Sequence, residues 1–327
     1  MSLTDLEAEA SVPPASEVPG GRAIQGRSPW QLAWARLRQD KAAMVCLAVI
    51  ILLVLMAVLA PLIAKWVGYE PDFGDRKFGV TDDGLPVGPN GHHYLGTDRL
   101  GRDILVRGVY GARVSLLVGL LSTALAVILG VMIGATAGYY GGAVDTVLAR
   151  FMDVTLSFPY LLFAIALAAA FGASTPLTIF VITFFSFASI GRIVRGQVLQ
   201  IKEREFIEAA RSLGAGNVRI MFIDVIPNLI APVTVLGSMT IPTAIIFEST
   251  LSFLGAGTDP RTPSWGNMLA DATESYTVAW WTLFIPALFL LVTTLAFNIL
   301  GDAVRDALDP RSERLFAAQK ANRKKRK

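Results

Sequence analysis

Two histidines occur in the 327-residue chain, His92 and His93, and they are adjacent. Neighbouring residues cannot turn both rings onto one ion as an i, i+4 pair on a helix can, so the pair lacks the pattern of a metal site. Side by side in a polar loop, they also do not form a Ser/His or Cys/His nucleophile. The single cysteine, Cys46, lies inside an apolar run, which excludes a disulfide framework or a Cys-based zinc centre within one chain. No Gly-Lys pair occurs, and with it goes the G-x-x-x-x-G-K-[ST] phosphate loop. One acid stands out. Glu248 ends a long apolar run, and an acid at membrane depth is by default a candidate for substrate contact or gating. Close to the outer end of its span, it can equally pair locally or cap a helix. Pro242, in the same run, is a second candidate for the path or its gate.

A different kind of chemistry, coupling to a soluble partner, is suggested by residues 208–227, EAARSLGAGNVRIMFIDVIP. Phe206, Ala209, Ala210 and Leu213 recur at helical spacing, Gly214 and Gly216 interrupt, and 218–223 can resume as a second helix. Glu205 and Glu208 precede the turn and Arg219 follows it. Gly214 permits positive φ at the bend. Ala209 and Ala210 leave room for close approach by a partner. A mixed-charge helix–turn–helix of this kind, held between apolar segments, makes a compact lobe.

The elements that must hold this lobe are membrane spans. The chain is 53% hydrophobic and 17% charged, with mean hydropathy +0.53, against about 25% charged in a soluble domain. The apolar excess falls into blocks long enough to cross a bilayer as helix: 42–64, 114–138, two spans within 154–191 turning at 172–176, 225–247 and 278–301. The expected architecture is an all-α membrane protein with six transmembrane helices. The domain organisation reads as a cytoplasmic tail over 1–28, disordered by composition; a surface helix and first span over 29–64; an extracytoplasmic loop over 65–112; a transmembrane domain over 113–305; and a basic cytoplasmic tail over 306–327, ending in RKKRK. Residues 30–41 have the pattern of an amphipathic helix at the membrane surface. Span 1 starts too late and runs too long for a cleaved signal peptide. Gly130, Gly134 and Gly138 share one helix face, either as ordinary tight packing or as a sliding surface. Pro159 loosens the start of span 3, and Pro227, Pro232 and Pro242 predict kinks or a broken helix in span 5. The stretch 139–153 reads as a turn. Six spans put both termini on one side. If that side is the cytoplasm, 21 of the 29 Lys and Arg lie inside, as the positive-inside rule requires.

Such a chain has a membrane body and no engine. An ion-coupled carrier would keep charged or relay residues in mid-span and often show inverted repeats; neither is visible. A membrane scaffold would have no stoichiometric ATPase partner. Half of an ATP-driven pore needs a docking element, which 208–227 supplies.

That element carries a resemblance. The permeases of ABC importers have a cytoplasmic loop of pattern E-A-A, three residues, Gly, nine residues, then I-x-L-P. Here Glu208, Ala209, Ala210, Gly214 and Pro227 stand at the matching positions, with Asp224 in the Ile slot and Ile226 in the Leu slot. Five further runs resemble the second permease subunit of dipeptide and oligopeptide importers: LGTDRLGRDILVRGVYGARVSLLVGL from Leu95, FMDVTLSFPYLLFAIAL from Phe151, ESTLSFLGAG from Glu248, SWGNML from Ser264 and FNILGDAVRDALDP from Phe297. The resemblance implies a type I ABC importer permease fold in a bacterial-type inner membrane, with the coupling loop over 202–227. It implies a homologous second permease, two cytoplasmic ATPase subunits that hold ATP-Mg, and an extracytoplasmic binding protein. It implies no cofactor and no catalytic residue on this chain, and no nucleic acid partner. Nickel and glutathione importers share this subunit type, so the cargo stays open.

Overall fold

The computed structural model describes residues 29–309; the tail readings for 1–28 and for RKKRK fall outside them. The helices are α1 (Pro29–Leu37), α2 (Lys41–Val58), α3 (Ala60–Val67), α4 (Ile104–Tyr140), α5 (Gly142–Ser157), α6 (Tyr160–Phe171), α7 (Thr175–Ile201), α8 (Glu205–Ser212), α9 (Asn217–Arg219), α10 (Ile226–Phe253), α11 (Trp265–Ala272) and α12 (Trp281–Leu308). A π-helical turn, Ile220–Val225, joins α9 to α10. Among the described residues there is no named strand, and three isolated β-bridges organise the loop 68–103.

Six passes result. Five are single helices long and apolar enough to cross a bilayer: α2, α4, α7, the stretch Asn217–Phe253 and α12. The sixth is the pair α5 and α6, bent by 81° at its break. The cause is Pro159. It disfavours helical backbone in the residue before it, and Phe158 is extended at φ −77, ψ 135. The stretch 139–153 is therefore largely helix rather than turn, and the third pass begins in α5. With 12 residues, about 18 Å, α6 cannot span alone. In α10, by contrast, Pro232 and Pro242 lie inside one continuous helix, so of the two expectations, kinks or a broken helix, the break does not occur. The first pass is interrupted at Leu59, and Pro61 sits in the first turn of α3, where a missing N–H costs nothing.

Two ends of the bundle can be told apart. α4 and α7 run parallel: Thr183 faces the carbonyl of Ser122, and Val198 lies at Gly138. Their seam is glycine. A Cβ on Gly130 would stand 2.8 Å from Ile190, and one on Gly138 would stand 2.9 Å from the Arg195 carbonyl and from Val198. A Cβ on Gly134 would collide with the backbone of Gly191. The helix axes can approach this closely only without side chains, so the small-residue face is a packing seam. Both helices end beside the polar lobe. α12 ends there too, since Arg305, Leu308 and Asp309 line one cavity with Glu203, Arg204 and Phe206, and the Arg36 guanidinium ties α1 to the same end through the carbonyls of Ala307 (3.1 Å) and Asp309 (3.4 Å). The described chain thus begins and ends at the lobe end. The loop 68–103 forms the other end, where the Trp281 indole donates to the Thr97 carbonyl at 3.1 Å and Trp66 stacks on Tyr94 at 5.9 Å. Exposed aromatic side chains at such a level suit a membrane–water boundary.

Candidate coupling lobe and buried polar network

The lobe is built from α8, a glycine turn and α9. Two acids, Glu205 and Glu208, lie in the first turn of α8 and Arg211 in its last, each at the dipole end that favours its charge. Gly214 turns the chain at φ +82, a conformation that costs a residue with a Cβ about 1–2 kcal/mol. The inner face is fixed to the bundle. Ile207, Ile220, Met221 and Val225 are buried in one cluster with Tyr139 of α4, Met152 of α5 and Val198 of α7, and Ala210 packs against it. The Tyr139 hydroxyl donates to Asn217 Oδ1 at 3.1 Å, and the Arg211 guanidinium lies 5.9 Å from the Tyr139 ring.

The outer face is apolar as well. Leu213 is 89% exposed, Val218 64% and Phe222 65%, with Phe206 and Ile223 beside them in sequence and also exposed. Glu208 and Ala209 are exposed, Ala210 is half-buried, and Pro227 is exposed in the first turn of α10. Of the helical stripe seen in the sequence, Phe206, Ala209 and Leu213 are exposed, Phe206 at the rim of the cavity toward the bundle, while Ala210 packs against the inner cluster. Ile207 holds the inner face, and no sequence signal separated the two. Asp224 Oδ2 is buried without a partner among the described residues, and only its carbonyl is engaged, by Asn228 Nδ2 at 2.6 Å. No structural tether accounts for this acid.

Between the lobe and the bundle lies a cavity of about 1310 Å³ walled by Ile193 and Gln197 of α7, Pro232 and Met239 of α10, Phe206 of α8 and Arg305 of α12. Glu203, Arg204 and Glu205 stand at its lobe side. Neither Pro242 nor Glu248 lines it.

Glu248 sits in the other half of α10 and is wholly buried. Ser115 of α4 donates to its Oε2 at 2.7 Å, Ser249 to the same oxygen at 3.3 Å, and Ser252 to Oε1 at 2.9 Å. From Ser252 the network continues to Thr258 (3.1 Å), then Ser264, the N-cap of α11, and Asn267. Asn267 Nδ2 donates to Thr258 Oγ1 at 3.1 Å and to the carbonyls of Asp259 and Thr262 at 2.9 Å. One carboxylate thereby holds α4, α10 and the loop into α11 together. The Trp265 indole adds a bond to the Gly108 carbonyl at 3.0 Å. Pro242 is buried in the wall of the same helix.

At the loop end the two histidines diverge. His92 stacks on Phe78 at 4.7 Å. His93 is buried, with Nδ1 2.8 Å from Asp103, Nε2 3.6 Å from Asp75 and the ring 4.5 Å from Tyr69. Burial, then the neighbouring Asp75, raises the Tyr69 hydroxyl above its ordinary value. For Asp75, burial pushes the pKa up, but the N–H groups of Phe78 and Lys77, the Tyr69 hydroxyl and His93 outweigh it and hold the carboxyl below the usual range. Arg102 and the buried Arg107 bind Asp271 at 2.6 and 3.4 Å, and Arg102 also binds Asp98 at 2.6 Å, clamping loop, α4 and α11. Charge alone did not distinguish these residues from the other ions of a polar loop.

Comparison with known proteins bears on the same elements. Residues 130–314, which include α7, the lobe, α10 and α12, match the family described as the binding-protein-dependent transport system inner membrane component. The chain belongs to this family. Residues 28–79 of the permease also match the N-terminal TM domain of oligopeptide transport permease C. The oligopeptide transport system permease protein OppC of Escherichia coli K12 is 41% identical over 288 residues, 88% of this permease and 93% of the relative. The dipeptide transport system permease protein DppC of Bacillus subtilis 168 is 40% identical over 285 residues, 87% and 86% of the two chains. The glutathione transport system permease protein GsiD of Escherichia coli O6:K15:H31 is 39% identical over 287 residues, 88% and 92%. A chain of the inward-facing MetNI methionine ABC transporter superposes with TM-score 0.52 at 17% identity, over 62% of this permease and 96% of that chain, which shows the type I importer permease fold. The permease is a multi-pass transport component, not an enzyme.

Proposed function

We propose that this permease forms half of the path of an ATP-driven importer of di- and oligopeptides, coupled to separate ATPase subunits through residues 208–227. The observation that carries the reading is the lobe's two-sided build: an inner face locked into α4, α5 and α7, and an outer face on which Leu213, Val218 and Phe222 are exposed. Exposed apolar side chains clustered on a polar projection suit a protein partner. The peptide cargo rests on the names of the relatives, two peptide permeases and one for glutathione, itself a tripeptide. The lobe end faces the cytoplasm in this reading, because the sequence segments joined to that end carry 21 of the 29 Lys and Arg. The loop end then receives cargo from a binding protein, and a homologous permease completes the path.

ATP would bind on the partner subunits. Their closure moves the lobe, and the helical stretch from Asn217 to Phe253 transmits the movement from lobe to Glu248 as one rod. A two-state bundle responds if the partner contacts differ between the states. Gly214 and Ala209 shape the surface that the ATPase meets, and Pro227 lies exposed in the first turn of α10, where the lobe joins the span. Purification of the native complex followed by peptide uptake in proteoliposomes tests this. ATP-dependent uptake that requires a co-purifying ATPase supports it. Uptake by this chain alone would mean a secondary carrier, and a complex without any ATPase would mean a scaffold.

A further inference from the structure

We infer that the permease holds an anionic phospholipid at its lobe end, with one acyl chain in an apolar groove between α1, α10 and α12 and the headgroup phosphate on Arg38. The groove has a volume of about 180 Å³ and is walled by Ala33, Trp34 and Leu37 of α1, Thr234 of α10, and Val304 and Ala307 of α12. Its one hydroxyl is satisfied within its own helix, since Thr234 donates to the Ile230 carbonyl at 2.8 Å. The groove is therefore dry in character, and it is smaller than the roughly 300 Å³ at which ordinary small-molecule pockets begin. That size fits part of a single chain rather than a folded ligand.

Its position selects lipid. α2, a membrane span, begins at Lys41 directly after its N-cap Asp40, so α1 lies at the level where the span enters the bilayer. The charges select an anionic headgroup. The Arg38 guanidinium sits 4.9 Å from the Trp34 ring that forms the groove's outer wall, and Lys41 opens the next helix. Arg36 has a different task, joining α1 to the end of α12 through the carbonyls of Ala307 and Asp309. Of the acids at this end, Asp40 is engaged by the N–H groups of Ala42 and Ala43 at 2.9 and 3.2 Å, and Asp306 and Asp309 have partners of their own. A tryptophan with a cation over its face and an apolar slot behind it matches the chemistry of the headgroup boundary.

The test is quenching of tryptophan fluorescence in the full-length protein by phosphatidylglycerol or phosphatidylcholine carrying bromine on one acyl chain. The expected result is a quenched component that disappears in Trp34→Phe and that favours phosphatidylglycerol by about fivefold, the effect of one basic residue near an anionic surface. Arg38→Gln should make the two lipids equal while quenching persists, and Val304→Phe, which fills the slot, should abolish the component. A photoactivatable acyl chain on phosphatidylglycerol should label α1 or the end of α12, a readout that does not depend on a filling variant folding. Equal quenching by both lipids in the unaltered protein, a preference that survives Arg38→Gln, or labelling confined to other helices while a protein subunit protects α1, would each overturn the assignment.

Discussion

Ser115 and Glu248 stand 133 positions apart in the chain and 2.7 Å apart in the fold, joining α4 to α10 inside the bundle. Hydrogen bonds between membrane helices are worth about 0.6 kcal/mol on average and up to about 1.7. Ser115→Ala should therefore lower stability by about 1 kcal/mol. Glu248→Ala should cost about 3 kcal/mol, because it removes three acceptor contacts, strands buried hydroxyls and leaves a void. Glu248→Gln keeps the volume and should fall between them. Thermal unfolding in detergent, followed by tryptophan fluorescence, orders the three. A neutral Glu248→Ala would show that the network does not hold α4 to α10.

The α4–α7 seam makes a sharper steric prediction. Gly134→Ala places a Cβ against the Gly191 backbone, which cannot yield like the tip of a flexible side chain. It should cost about 2 kcal/mol or more. Gly196→Ala on α7 meets nothing within 4 Å and should be neutral or stabilising by up to about 1 kcal/mol from helix propensity. Unfolding midpoints of the two variants check the contrast.

Much of this architecture was legible because a bilayer imposes a length. Apolar runs marked six passes, the third of them from residue 154 rather than from the start of α5, and the position of the lobe between the fourth and fifth. α5 was missed because Asp145, Arg150 and Asp153 interrupt the run, although Val144, Val147, Phe151 and Val154 keep helical spacing. Asp145 is bound by Arg195, which donates to both its carboxylate oxygens, a pairing that no local pattern displays. Around Glu248, only the acid itself stood out in the sequence, because Ser115, Ser252, Thr258 and Asn267 are joined to it by tertiary packing and hydrogen bonds that no local pattern displays. Within the lobe, apolar spacing could not tell Ile207 from Phe206, because both the bundle and a partner favour apolar contact.

Acid should loosen the loop end late. Asp75 accepts N–H bonds from Lys77 (2.9 Å) and Phe78 (3.0 Å) and a hydroxyl from Tyr69 (3.3 Å), and its folded-state pKa lies below the ordinary value. A depressed pKa contributes stability that is fully present above the unfolded value and is lost as pH falls through the folded one. The contribution of Asp75 should thus persist down to about pH 4 and vanish below it. Tyr69, raised by burial and by Asp75, acts at the alkaline limit, where stability should fall as pH rises past about 10. Hydrogen exchange of residues 74–79 across pH reads the acid limb. Asp75→Asn should exchange faster at neutral pH and lose the acid step.

At the lobe, Gly214→Val forces a β-branched residue to φ +82, a backbone conformation that is a genuine outlier for such residues. Gly214→Asn tolerates that conformation better. Uptake by the assembled transporter should fall at least tenfold for Val and remain within about twofold for Asn, since about 1.4 kcal/mol is a factor of ten. Membrane insertion should be unchanged in both.

The most direct test of the coupling role uses the chain's single cysteine, buried Cys46, as a silent background. Leu213→Cys puts a reactive thiol on the outer face of the lobe, and Leu85→Cys puts one on the exposed part of the loop end. Each is labelled with a thiol-directed photocrosslinker in the native membrane complex. The account predicts a covalent adduct between Leu213→Cys and an ATP-hydrolysing subunit, altered in yield by ATP, and none with that subunit from Leu85→Cys. An ATPase adduct from the Leu85 position and not from Leu213 would contradict it.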